Sequence, residues 1–118
     1  MSSVRSRKAK GRALQNLVVQ KLLDRSEELE QDDIKGAIMG EGGMDVKLSP
    51  AARKIYPFKI ECKNQAKFKG IYDIYRQAEE HQGDGEPLGI LKMNRQKPLV
   101  LIDLDYFLDM HQRSIANG

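Results

Sequence analysis

The chain is predicted to be a single α/β domain whose elements run helix, strand, strand, helix, strand, strand, helix. Three observations predict it. Leu14, Leu17, Val18 and Leu22 recur at helical spacing near the start. Two short segments, "MDVKL" and "FKIECKNQ", instead alternate apolar and charged residues, the period of a strand. "GIYDIYRQAEEHQG" then returns to helical spacing ahead of two further apolar runs. At 118 residues the chain fits one hydrophobic core, since domains commonly hold about 100 to 150 residues.

The first twelve residues, "MSSVRSRKAKGR", carry Arg5, Arg7, Lys8, Lys10 and Arg12 and no acidic residue. Residues 1–12 are read as a basic arm, either following a phosphate backbone or simply solubilising the chain, and residues 13–118 as the domain. From Ala13 to about Leu29 the apolar stripe predicts an amphipathic helix. Gly36 to Gly43 is glycine-rich and is read as an irregular approach to the first strand. In "MDVKL", Met44, Val46 and Leu48 share one face, Asp45 and Lys47 the other. Ser49 and Pro50 read as an N-cap and first helical position, so a short helical turn should follow.

In "FKIECKNQ", Phe58, Ile60 and Cys62 point one way and Lys59, Glu61 and Lys63 the other. A hairpin centred on Arg53 would set Asp45 opposite Glu61, Val46 opposite Ile60 and Leu48 opposite Phe58, so both faces match. A slip by one residue would reverse every side chain. Ile71, Ile74, Tyr75 and Ala78 then share a helical face that stops at Gly83. "EPLGILKMN" and "PLVLIDLD" read as two adjacent strands, and "YFLDMHQRSI" as a closing helix.

No apolar run approaches the roughly 18 to 20 residues of a membrane span, and the N-terminus lacks the apolar run of a secretory signal, so a cytoplasmic protein is expected. Cys62 is the only cysteine. That excludes an intrachain disulfide and a multi-cysteine zinc site, and its strand face makes it a buried small hydrophobe. His81 and His111 share no ligand-like spacing and are read as surface residues.

Asp45, Glu61 and Lys63 place two carboxylates and an amine on neighbouring strands. Carboxylates this close repel unless a cation lies between them, and hard oxygen donors suit Mg²⁺ or Mn²⁺. A lysine beside them can orient an attacking water or stabilise charge on a phosphoryl group. In a chain with 31% charged residues an isolated ExK carries little. Its weight comes from the facing aspartate, the apolar residues on both sides and the flanking helices.

"MDV" followed by "IECKNQ" resembles the D…ExK core of the PD-(D/E)xK nuclease superfamily. The finer resemblance is to phage and archaeal Holliday junction resolvase-like members, through "GRALQNLVVQKLL", "GEGGMDV" and "YRQAEEH". It implies a restriction-endonuclease-like αββαββα core, with a central mixed sheet flanked by helices. Asp45, Glu61 and the backbone carbonyl of Cys62 would hold Mg²⁺, with Mn²⁺ able to substitute. Lys63 would be the catalytic lysine, and Gln77 would position Lys63 or phosphate. Many relatives carry a glutamate on the first helix where this chain has Gln15, a poorer metal ligand, which argues against a fully occupied two-metal site; Glu41 is read as an ordinary loop residue, with a substitute carboxylate as the alternative.

The expected activity is metal-dependent hydrolysis of DNA phosphodiester bonds, selective for branched structure as in recombination. Arg5, Arg7, Lys8, Lys10, Arg12, Arg53, Lys54, Lys67 and Lys69 would neutralise phosphates. Paired cuts in a branched substrate imply a homodimer. The alternatives are a non-catalytic DNA-binding protein on the same fold, which Gln15 favours, and a generic nicking or end-processing nuclease.

Overall fold

Ser3 opens the first helix: its hydroxyl accepts the Ser6 amide at 3.0 Å, and Arg, Lys and Ala, all good helix formers, follow. The resulting α1 spans Val4–Asp24. The computed structural model describes residues 3–37 and 45–117. The basic run expected as an arm is therefore the first turns of α1, because a capped stretch free of proline and β-branched runs propagates into the helix behind it. Only Leu14 and Val18 of α1 are buried.

After a 3₁₀ turn at Gln31–Asp33 come β1 (Ile34–Gly36), β2 (Val46–Leu48), α2 (Pro50–Ile55) and β3 (Phe58–Asn64). The second half holds α3 (Ile71–Glu80), β4 (Glu86–Lys92), β5 (Leu99–Leu101) and α4 (Leu104–Asn117). Ser49 caps α2 as its sequence requires, accepting the Ala52 amide at 3.1 Å. The Ser49 hydroxyl also donates to Asp33 Oδ1 at 2.7 Å, tying α2 to the 3₁₀ turn.

Strand pairing departs from the expected hairpin. β2 pairs antiparallel with β1, matching Ile34 with Leu48 and Gly36 with Val46. β3 instead runs parallel to β4, with Glu61 beside Gly89, and β4 runs antiparallel to β5. Among the described residues no ladder joins β2 to β3; Asp45, just ahead of β2, reaches β3 through a single backbone bond, its amide donating to the Ile60 carbonyl at 3.2 Å. The reason lies in the connection: α2 fills it, so it is not a tight turn. The architecture is thus an antiparallel pair beside a mixed three-stranded sheet, flanked by helices.

The core forms where α1 covers the even-numbered face of β3. Leu14 and Val18 meet Ile34, Val46, Leu48, Ile60, Cys62 and Ile90 there. α3 covers the opposite face with Ile74 and Ala78 buried. Gly89 makes that close approach possible: a Cβ there would lie 3.3 Å from Leu101 Cβ and 3.5 Å from Ile74 Cγ2. No described helix is long and apolar enough to cross a membrane.

Candidate functional site

Asp45 sits where the two sheets meet, fixed at three points. Its carbonyl accepts the Ala37 amide at 2.9 Å and its amide donates to Ile60 at 3.2 Å. Its Oδ2 accepts the Cys62 amide at 2.7 Å. That last bond follows from strand geometry. Residues of one parity on β3 bond toward β4, as Gln65 does past the strand end to the Lys92 carbonyl at 3.0 Å. Ile60 and Cys62 therefore address the opposite edge. β2 begins only at Val46, so the Asp45 carboxylate takes the amide that a strand extended by a residue would have taken, and strand geometry turns the Cys62 carbonyl to the same edge.

Glu61 occupies the other face of β3, beneath α3, and is only 7% exposed. Its Oε1 lies 2.7 Å from His81 Nε2, a hydrogen bond between carboxyl and imidazole. Its Oε2 lies 3.7 Å from Lys63 Nζ. Burial, foremost, and then the Asp45 charge and a hydrogen-bonding contact with its carboxyl raise the Glu61 pKa; His81 and Lys63 oppose the rise. The two carboxyls crowd each other, the condition a bound cation relieves.

Among the described residues no group of three or more His, Cys, Asp and Glu side chains is placed to hold a metal ion. The donor set at the junction is two carboxylates with the Cys62 carbonyl at the same edge. Such a set fits a hard cation that retains much of its water, as Mg²⁺ does. The Cys62 thiol is buried, and that burial, with the Asp45 and Glu61 charges, pushes its pKa far upward, so it is no nucleophile.

No protein-family model, characterised protein or solved structure matches the chain.

His81 is the residue the sequence misassigned. It is partly buried against Glu61 at the C-terminal end of α3 rather than free on the surface. Lys59 contributes to holding it, donating to the Glu79 carbonyl at 3.0 Å and the His81 carbonyl at 3.1 Å. The signal available was the position of His81 four residues beyond Gln77, one helical turn along. Gln77 itself is exposed, and its side chain makes no hydrogen bond among the described residues. Glu41 lies outside the described residues, as does Met44.

The cationic residues fall into two groups. The Lys10 carbonyl accepts from Asn64 Nδ2 at 3.5 Å and Lys10 Nζ donates to Asn94 at 3.2 Å, which lays the basic half of α1 beside the end of β3. Lys67 and Lys69 follow in the exposed connection after that end. Lys8, Arg12 and Gln15 line a shallow cavity of about 380 Å³ against Gly36 and Ala37. Arg53 and Lys54 end α2, ahead of the start of β3. They are separated from the first group by a strand about 20 Å long.

Proposed function

We propose that the chain is a metal-dependent endonuclease hydrolysing phosphodiester bonds of DNA, selective for branched structure. The observation that carries this reading is the Asp45 and Glu61 pair at the strand junction, with Lys63 Nζ 3.7 Å from the glutamate. Mg²⁺, or Mn²⁺ in its place, would supply Lewis-acid stabilisation of the phosphoryl oxygens and ease deprotonation of the attacking water.

Each residue has a distinct task. Asp45, held through Ala37, Ile60 and Cys62, presents a carboxylate in a fixed orientation. Glu61 presents its second oxygen once His81 has taken the first. The Lys63 ammonium, partly exposed, donates to a non-bridging phosphoryl oxygen as negative charge builds there. In the reaction the water oxygen bonds to phosphorus, one bridging P–O bond breaks, and the leaving alkoxide takes up a proton. Cations on α1 and after β3 would hold the strand by its phosphates, without base readout.

The test is cleavage of a labelled four-way junction, a nicked duplex and a plain duplex with Mg²⁺ or Mn²⁺, comparing the unaltered chain with Lys63→Ala. Metal-dependent cutting that disappears in the variant is expected, with the junction cut preferentially. Equal cutting of all three substrates would leave a generic nuclease. Binding without cutting under every metal condition would favour the non-catalytic reading. The observation on that side is Gln15, whose amide faces Gly36 in the cavity it shares with Lys8 and Arg12.

A further inference from the structure

Among the described residues two surfaces have no partner, and each is the complement of the other. The first is an apolar groove of about 440 Å³ between α1 and β5, with Leu17, Leu22, Leu99 and Val100 on its floor and walls. Lys21, Arg25 and Lys97 rim it. Leu99 is 58% and Val100 62% exposed, on a strand at the edge of its sheet. A sheet edge carrying exposed apolar side chains is a surface that proteins ordinarily cover.

The second is α4, whose backbone stands at the periphery of the fold. It is anchored by Tyr106, edge-to-face with Phe58 at 5.9 Å between ring centres. Leu104 and Leu108, one turn apart, are 68% and 50% exposed. Asp105 and Asp109 flank that stripe, and neither makes an ion pair among the described residues. Asp103 is already engaged, accepting the Tyr106 amide at 2.9 Å as the cap of α4.

We propose that a second copy of this chain fills the groove: the Leu104 and Leu108 stripe of α4 packs on Leu17, Leu99 and Val100 of its partner, with Asp105 and Asp109 against Lys21, Arg25 and Lys97. Charge complementarity selects this occupant, because the basic rim and the acidic flank surround apolar strips suited to one another. Topology closes the assembly. Only Ile102 and Asp103 separate β5 from α4, so groove and helix adjoin on one chain and exchange reciprocally across a two-fold axis, without leaving an open end. The dimer expected from a symmetrical substrate thereby acquires a specific interface, argued from surface chemistry alone and independent of the nuclease reading.

The experiment is sedimentation velocity on the full chain across the micromolar range. The unaltered chain is expected to be a dimer, and Leu108→Glu and Val100→Glu to raise its dissociation constant by at least about tenfold. Both positions are exposed, so helix content and melting temperature should be retained. Two charge-swapped chains decide the pairing: Lys21→Glu with Lys97→Glu in one, Asp105→Lys with Asp109→Lys in the other. Each alone should fail to self-associate, and an equimolar mixture should form heterodimers, since both reciprocal contacts then join opposite charges. A monomeric unaltered chain would overturn the proposal and leave the groove to a different acidic partner. A dimer that survives Leu108→Glu and Val100→Glu, or swapped chains that fail to pair on mixing, would overturn it as well. No readout involves DNA or metal, so failure here is distinguishable from failure of the nuclease reading.

Discussion

Asp45 carries two burdens that different substitutions separate. Asp45→Ala removes the acceptor of the Cys62 amide, and an orphaned donor of this kind costs about 1 to 3 kcal/mol. Asp45→Asn keeps an acceptor oxygen, so urea denaturation should show a smaller loss, while the proposed cleavage should be abolished in both. In the proposed nuclease His81 would act on the site through Glu61, as a positioning residue. Loss of such a partner costs about ten- to hundredfold in metal affinity or activity. His81→Ala should therefore fall in that range, and His81→Gln, which retains a donor, should recover part of it in the same assay. Glu61 and Lys63 were legible as neighbours because strand alternation is local, whereas Asp45 was set opposite Glu61 through a hairpin that does not form and reaches β3 from just ahead of β2. The role of His81 was not: it joins Glu61 across 20 residues and a parallel crossover, which no local period encodes.

Among the elements, α2, α3, β4, β5 and α4 were legible through caps, stop signals and apolar runs that act within a few residues. β1 was not, because three residues ahead of a glycine-rich run show no alternation, and their strand conformation comes from pairing with β2. The expected hairpin failed for a related reason. Matching faces on two strands establish compatible parity, but they do not establish that the strands pair. α1 breaks a local rule: its first turn holds no acidic residue, and Arg5 sits there against the positive end of the helix dipole. Such a violation fits the proposed contact with a polyanion. Arg5→Glu should accordingly stabilise the fold by about 0.3 to 1 kcal/mol in thermal melts while weakening DNA binding. Removing one phosphate-neutralising cation should also flatten the dependence of log affinity on log salt by about 0.9.

Over the whole molecule, two carboxylates give stability opposite pH dependences. Asp33 accepts from the Ser49 hydroxyl and the Glu30 amide, and these hold its pKa below the ordinary 3.8. Its contribution is present above that value and is lost as pH falls through the lower folded-state pKa. Glu61 has its pKa raised above the ordinary 4.5. As pH climbs past that value the folded protein keeps a proton that the unfolded chain releases, so stability declines until Glu61 ionises in place. Denaturation across pH without divalent cations should show both limbs. Asp33→Asn should remove the acidic limb and Glu61→Gln the one above it. The shape agrees with the peripheral α4: the radius of gyration is 14.6 Å and the extents are 48 × 30 × 28 Å, against about 13.5 Å for a compact domain of this length.

The bond from the Cys62 backbone to Asp45 also provides the molecule with a native spectroscopic probe. An amide proton held by a carboxylate at 2.7 Å resonates according to the charge on that carboxylate. Drawing the electrons of Asp45 toward an added cation should displace the Cys62 amide signal, while core amides such as that of Leu14 stay in place. Titration with Mg²⁺ would thus test the proposed metal site by magnetic resonance with no label, no substrate and no turnover.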